Sequence, residues 1–124
     1  MVFTYALLKV EDHYEQALAV LSSTDRIVVP DSLFAELGNV VWQWIQFRQL
    51  PLATGFSALE DAEALVDIMI PSVVLRDLAL ELAVQKSHSF YDTLFVAAAM
   101  YEQTQVLTYD VKLAKKFSTL VQLL

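Results

Sequence analysis

Two patterns of apolar and polar residues alternate along the chain. Short apolar runs, several of them β-branched, predict buried strands at residues 2–8, 27–29, 68–70, 106–108 and 120–124. Between these runs, apolar residues recur three and four positions apart. This spacing predicts helices at residues 12–22, 31–49, 57–64, 75–86, 89–103 and 110–117.

Prolines and polar residues suggest where these elements begin and end. Pro30 and Pro71 each follow a short strand, and Pro51 stops the long helix at 31–49, since the residue before a proline disfavours helical geometry. Ser57 is followed three residues later by Glu60, which is the spacing of a capping box. We therefore expect a helix to begin at Ser57.

The alternation predicts an α/β fold. Strands that are apolar on nearly every residue are typical of a parallel sheet whose two faces are both covered by helices. We expect a mostly parallel sheet of four to five strands in one domain over residues 1–124. In such sheets ligands bind beyond the carboxyl ends of the strands, so the chemistry is expected there.

Composition narrows the classes of function. The chain has 124 residues, of which 56% are hydrophobic, and its net charge is −7. These values exclude a disordered chain, and the absence of cysteine excludes disulfides, thiolate nucleophiles and cysteine-based zinc sites. The longest apolar run, residues 94–101, is too short to span a membrane. The first residues lack the features of a signal peptide, so a cytoplasmic protein is expected.

Three acidic residues follow predicted strands. Asp110 comes almost directly after the strand at 106–108, Asp92 lies in the first turn of the helix at 89–103, and Glu36 lies in the second turn of the helix at 31–49. Carboxylates that converge on one edge of a sheet repel each other unless a positive charge lies between them, and Mg²⁺ or Mn²⁺ can provide that charge. A metal held in this way can orient water for phosphoester cleavage.

Each acid also has a purely structural interpretation. Asp92 has the capping-box spacing to Ser89, and Asp110 is a suitable N-cap for the helix after it. Glu36 fits a solvated position on a polar helix face. Against this, Asn39 lies one turn beyond Glu36 on a helix that is otherwise strongly apolar, and a buried carboxylate needs a partner.

The remaining polar candidates are weaker. His13 is interpreted as a surface residue at a helix start and His88 as a loop residue, and their spacing does not make a zinc site. Lys112, Lys115 and Lys116 cluster in the last helix. They are explained by compensation of the helix dipole, with a basic rim for a nucleic-acid backbone as the other interpretation.

Three segments resemble the PIN domain family. Pro30 followed by Glu36 and Asn39 resembles its P…E-x-x-N helix. The segment SFYDTLFVAAA at 89–99 resembles its S-x-Y-D-x-L-x-x-A-x-A motif. The segment LTYDVKL at 107–113 resembles its motif with T-x-D-x-x-L. Order and spacing agree from about residue 12 onward, and within the family the chain resembles the VapC-like toxins of toxin–antitoxin pairs.

The resemblance implies a three-layer αβα domain and an endoribonuclease that uses Mg²⁺ or Mn²⁺. By position, it implies that Glu36, Asp92 and Asp110 are catalytic metal-site residues, with Asn39 and Thr108 as polar support. It further implies an RNA substrate, an antitoxin protein as partner and a homodimer, while the short apolar runs predict no association with membranes.

One position departs from the family pattern. The first strand of the family ends in an aspartate, and an ungapped alignment of residues 7–9 puts Phe3 there. No acidic residue precedes Glu11. Two hypotheses follow: a toxin-type ribonuclease with a reduced set of carboxylates, or a degenerate PIN-like domain that acts without catalysis as a protein-binding or dimerisation module.

Overall fold

The computed structural model describes residues 14–23 and 26–124. In chain order the elements are α1 (Tyr14–Ser23), β1 (Val28–Pro30), α2 (Ser32–Arg48), α3 (Leu52–Leu65), β2 (Ile68–Ile70), α4 (Ser72–Lys86), α5 (Phe90–Tyr101), β3 (Val106–Thr108), α6 (Val111–Lys116) and β4 (Val121–Leu123). The predicted strand at 2–8 lies outside the described residues, as does the start of the helix predicted at 12–22.

The predicted α/β class with parallel strands is confirmed. Among the described residues, four strands form two pairs, β1 with β2 and β3 with β4. The second pair is parallel, with Val106 opposite Val121 and Thr108 opposite Leu123. Helices separate the strands along the chain, as the alternating pattern predicted.

Two helices begin earlier than predicted. The expected start of α3 at Ser57 is wrong, because the helix already begins at Leu52 with Pro51 as its N-cap. Likewise α4 begins at Ser72 and not at residue 75, with Pro71 as its N-cap. Both prolines have φ near −60°, at −61° and −59°. A proline suits a helix start, since its fixed φ matches the helix and no backbone N–H is needed there.

The described chain divides into two compact units. The first comprises residues 14–23, 26–27 and Leu33–Ile68, and the second comprises Val28–Ser32 and Met69–Leu124. The prediction of one domain over 1–124 stays a prediction.

In the first unit, α2 buries one stripe and α3 lies close to it. Leu33, Leu37 and Val41 are buried at successive four-residue spacings. Gly55 of α3 is also buried, and a Cβ there would lie 2.9 Å from both Val41 Cγ1 and Ile45 Cδ1. The absence of a side chain at Gly55 therefore allows these two helices to approach closely.

In the second unit, α5 buries most of its middle residues and contacts α4, β1 and β3. Its buried residues include Leu94, Val96 and Thr93. Thr93 Oγ1 lies 2.8 Å from the Ala79 carbonyl oxygen of α4, to which it donates a hydrogen bond. The hydroxyl thus has a hydrogen-bond partner inside the interface between α4 and α5, as buried polar groups generally do.

A hydrophobic cluster joins α6 and β4 to α5. It consists of Val96 from α5, Leu113 from α6, Phe117 after α6, and Val121 from β4, all of them buried. Because α6 starts directly after β3, this cluster also fixes the position of the carboxyl end of β3 relative to α5.

The end of β1 is tied to the start of α4. The Asp31 N–H donates to the Ile70 carbonyl oxygen at 2.9 Å. Asp31 Oδ1 accepts the Ser72 N–H at 3.0 Å and also the Ser72 hydroxyl. Since the N-cap Pro71 has no side-chain acceptor, Asp31 provides a cap for α4 from a different element.

The substitution Thr93→Val tests the polar contact between α4 and α5. It preserves the shape of the side chain but removes the donor to Ala79, so we expect the free energy of unfolding to fall by about 1 kcal/mol. Urea denaturation measures this change, as a lower midpoint with an unchanged slope. The matched control is Thr54→Val at an exposed position of α3, which we expect to change stability by less than about 0.5 kcal/mol. Equal stability of the two variants would contradict the assignment.

Candidate metal centre

The three-residue connection between α4 and α5 has a fixed conformation. Ser87 ends α4 in the left-handed region, with φ of 49°. Its N–H and that of His88 both bond to the Ala83 carbonyl oxygen, the second at 3.1 Å. Ser89 then begins α5 as N-cap, and its Oγ accepts the Asp92 N–H at 3.2 Å. His88 is therefore held between two helix caps.

The His88 ring is enclosed and directed at a carboxylate. Only 8% of its side chain is exposed, and Nε2 lies 2.8 Å from Asp92 Oδ2. The ring meets Phe117 edge to face, with the ring centres 6.4 Å apart. Lys116 Nζ donates to the Ser87 carbonyl oxygen at 2.8 Å, so the end of α6 also holds this connection.

Asp110 stands at the carboxyl end of β3 and begins α6. Its N–H donates to Thr108 Oγ1 at 3.0 Å. Its Oδ1 accepts the N–H groups of Lys112 and Leu113, at 2.9 and 3.2 Å. The N-cap interpretation of Asp110 is thus confirmed. Both of these bonds use Oδ1, so the cap leaves Oδ2 available for another role.

These residues form a cluster of potential metal ligands. His88, Asp92 and Asp110 each offer one ligand atom, and the three atoms lie within 4.8 Å of one another. The Asp110 side chain is exposed, while His88 and Asp92 are partly enclosed. Two carboxylates this close repel each other, and a divalent cation between them would remove that cost. The donor set of one nitrogen and two oxygens fits such an ion.

The structure brings together two of the three predicted acids. Asp92 and Asp110 lie in one cluster in the second unit, and Thr108 positions Asp110 as a polar support would. Glu36 is half-buried on α2 and Asn39 is exposed one turn later, both in the first unit. The catalytic or metal-binding roles of all five residues stay predictions.

Sequence analysis missed His88 as a member of the cluster. The available signal was its spacing of four residues from Asp92, which places two side chains on one helix face. His88 precedes the N-cap of α5, however, so a helical spacing was not expected to apply there.

A comparison with known families identifies the fold. A sequence model of the PIN domain matches residues 2–117, which is most of the chain. The chain belongs to the PIN domain family. This family is one of nucleases, and PIN nucleases generally use a divalent metal. The cluster of His88, Asp92 and Asp110 therefore lies in a fold suited to metal-dependent nuclease chemistry. No curated protein matches this PIN chain significantly.

Within residues 14–23 and 26–124, no helix combines the length and the apolar character needed to cross a bilayer.

Substitutions of Asp110 separate its structural role from its charge. Asp110→Ala removes the cap of α6, so we expect it to lower the free energy of unfolding by about 1 kcal/mol. Asp110→Asn keeps an oxygen acceptor for the Lys112 and Leu113 N–H groups, and a change of only a few tenths of a kcal/mol is expected. Chemical denaturation followed by circular dichroism compares them. Equal losses in the two variants would show that the cap does not stabilise the protein as described.

Proposed function

We propose that this PIN domain is a metal-dependent endoribonuclease of toxin type. The observation that carries the proposal is the meeting of Asp92 and Asp110, which come from different elements yet offer ligand atoms within 4.8 Å of each other and of His88. Ligands from the start of α5 and the end of β3 converge where an α/β sheet is expected to bind its substrate.

The residues present fit a divalent cation. Asp92 and Asp110 would hold Mg²⁺ or Mn²⁺, since both ions accept carboxylate oxygens. When bound, the ion would act as a Lewis acid, which lowers the pKa of bound water and offsets negative charge on the phosphate. The chain's own residues do the positioning: Thr108 and the α6 cap orient Asp110, and the connection at 87–89 orients Asp92. Glu36 is proposed as a further ligand or as the base that orients water.

An RNA substrate requires local positive charge on a chain whose net charge is −7. Lys112 and Lys115 are exposed on α6, directly after Asp110. Lys116 is engaged with the Ser87 carbonyl oxygen. We therefore propose Lys112 and Lys115 as contacts for the phosphate backbone, which would hold RNA near the cluster without reading its sequence.

Replacing either clustered carboxylate by its amide tests the enzymatic proposal. We expect Asp92→Asn and Asp110→Asn to reduce RNA cleavage about 100-fold or more, because a hard cation is held by the charge of its ligands. Induced expression in cells, scored by growth and by the integrity of total RNA, avoids the need to know the target. Asp61→Asn at an exposed position of α3 is the matched control and should behave as wild type.

Equal growth arrest and equal RNA damage in wild type and both amide variants would contradict the proposal. Cleavage by the purified protein that continues in the presence of a chelator would contradict it too. Glu36→Gln extends the test to the first unit, where a comparable loss would support a role for that carboxylate in the same reaction.

We further propose an antitoxin protein and a second copy of the chain as partners, in the cytoplasm. Exposed apolar side chains on α4 support a protein partner. Val73, Leu80 and Val84 are 68%, 54% and 74% exposed, and their spacings of seven and four residues put them on one helix face. We call this face the α4 stripe. Apolar surface of this kind is typical of interaction sites.

The same stripe favours a second candidate function. In this alternative the chain is a degenerate PIN domain that acts without catalysis as a protein-binding or dimerisation module. The alignment of Phe3 with a family aspartate supports it, although Phe3 lies outside the described residues. This alternative predicts no metal-dependent cleavage of RNA, together with a stable dimer or a complex with another protein.

A charge introduced into the α4 stripe tests its role in self-association. We expect wild type to be dimeric at micromolar concentration in light scattering, and Val84→Glu to weaken the dimer at least about tenfold, because it buries a charge. Gln85→Glu adds the same charge at the neighbouring exposed position and should leave the dimer intact. A monomeric wild type, or a Val84→Glu dimer of unchanged strength, would contradict this use of the stripe.

A further inference from the structure

We propose that the His88 imidazole is itself a metal ligand, which makes the centre a mixed nitrogen–oxygen site that favours transition-metal cations such as Mn²⁺ over Mg²⁺. This inference rests on the proposed function, because it concerns the ion that Asp92 and Asp110 would hold. It assigns a third ligand to a residue that the sequence motifs of the resemblance do not include.

The spacing of the donor atoms fits ligands of one ion. In an octahedral site with bonds of about 2.1 Å, neighbouring ligand atoms lie about 3.0 Å apart and opposite ones about 4.2 Å apart. The 2.8 Å between His88 Nε2 and Asp92 Oδ2 is close to the first value. The limit of 4.8 Å for the whole cluster is slightly wider than the second.

The position of His88 is fixed before any ion binds. More than nine-tenths of its side chain is buried, the ring lies edge to face with that of Phe117, and Nε2 points at a carboxylate. Its backbone is held by the bond to the Ala83 carbonyl oxygen. A ligand held in this way loses little conformational entropy on binding, which increases its contribution to affinity.

The chemistry of imidazole determines which ions benefit. Mg²⁺ prefers oxygen ligands and keeps several waters, so a nitrogen donor adds little to its binding. Imidazole binds transition metals well, and affinity rises from Mn²⁺ through Co²⁺ to the later members of the series. With none of the first ten residues acidic, a nitrogen ligand also offers a contact that does not depend on a carboxylate from that segment.

The contrasting role for His88 is that of a positioning residue, which hydrogen-bonds Asp92 and leaves the ion to oxygen ligands alone. The two roles differ in measurable ways. A ligand nitrogen couples magnetically to bound Mn²⁺ and alters the preference between Mn²⁺ and Mg²⁺. A positioning nitrogen does neither, and a side chain that restores the hydrogen bond would replace it.

The experiment uses the purified full chain, with Mn²⁺ and Mg²⁺ alone as probes. Calorimetry gives the affinity for each ion, and electron spin-echo spectroscopy of the Mn²⁺-loaded protein detects a directly bound nitrogen. The variant is His88→Gln, whose amide can reach the position of Nε2 and donate to Asp92. Asp110→Asn serves as the comparison, because it should weaken the binding of both Mn²⁺ and Mg²⁺.

We expect nitrogen coupling in wild type. In His88→Gln we expect loss of that coupling and a fall of about tenfold in the ratio of Mn²⁺ to Mg²⁺ affinity. Absence of nitrogen coupling in wild type overturns the inference and does not depend on how the variant folds. An unchanged affinity ratio in a folded His88→Gln variant overturns it as well.

The outcome is separable from that of the ribonuclease proposal. Nitrogen coupling in a protein that cleaves no RNA would support the ligand role of His88 and contradict the enzyme. RNA cleavage that depends on Asp92 and Asp110, without nitrogen coupling, would support the enzyme and contradict the ligand role of His88. Failure of both ions to bind would overturn both proposals.

Discussion

Packing between α6 and α5 sets the distance between the two clustered carboxylates. The contact is a buried hydrophobic cluster, to which β4 also contributes. Its members are Val96, Leu113, Phe117 and Val121, and none of them has a polar side chain that could take part in chemistry. Asp92 lies one turn before Val96, and Asp110 lies three residues before Leu113. Loss of volume in this cluster would therefore move the two ligands relative to each other. A site of this kind tolerates displacements of only about half an ångström.

Both carboxylates also serve helix starts. Asp92 lies in the first turn of α5, and Asp110 caps α6 through Oδ1. Negative charge is favoured at such positions, by about 0.3–1 kcal/mol each, because unpaired N–H groups point toward it. Two helix starts thus offset part of the repulsion between carboxylates that lie close together. For Asp110 the structural and chemical interpretations are compatible, since the cap occupies Oδ1 and leaves Oδ2 for the proposed ion.

Much of this arrangement could be predicted from sequence because it follows from local rules. A strand followed at once by an aspartate places that residue at the sheet edge, and Asp110 is there. The starts of α3 and α4 do not follow from these rules, because a proline that follows one element can also begin the next, and Pro51 and Pro71 are both N-caps. His88 was missed for another reason. Its enclosure depends on Phe117, a contact across 29 positions that no local pattern encodes.

The small size of α6 has a consequence for the motion of the site. A six-residue helix is not stable by itself, so it persists only through its packing, its cap and the bond from Lys116 to Ser87. Any opening of the segment from β3 to β4 would remove Asp110 from the cluster and leave Asp92 on α5, whose middle residues are buried. An ion held by both would keep that segment closed, because binding only the closed form shifts the equilibrium toward it. Amide exchange at Leu113 and Phe117 would therefore report how often the centre is assembled.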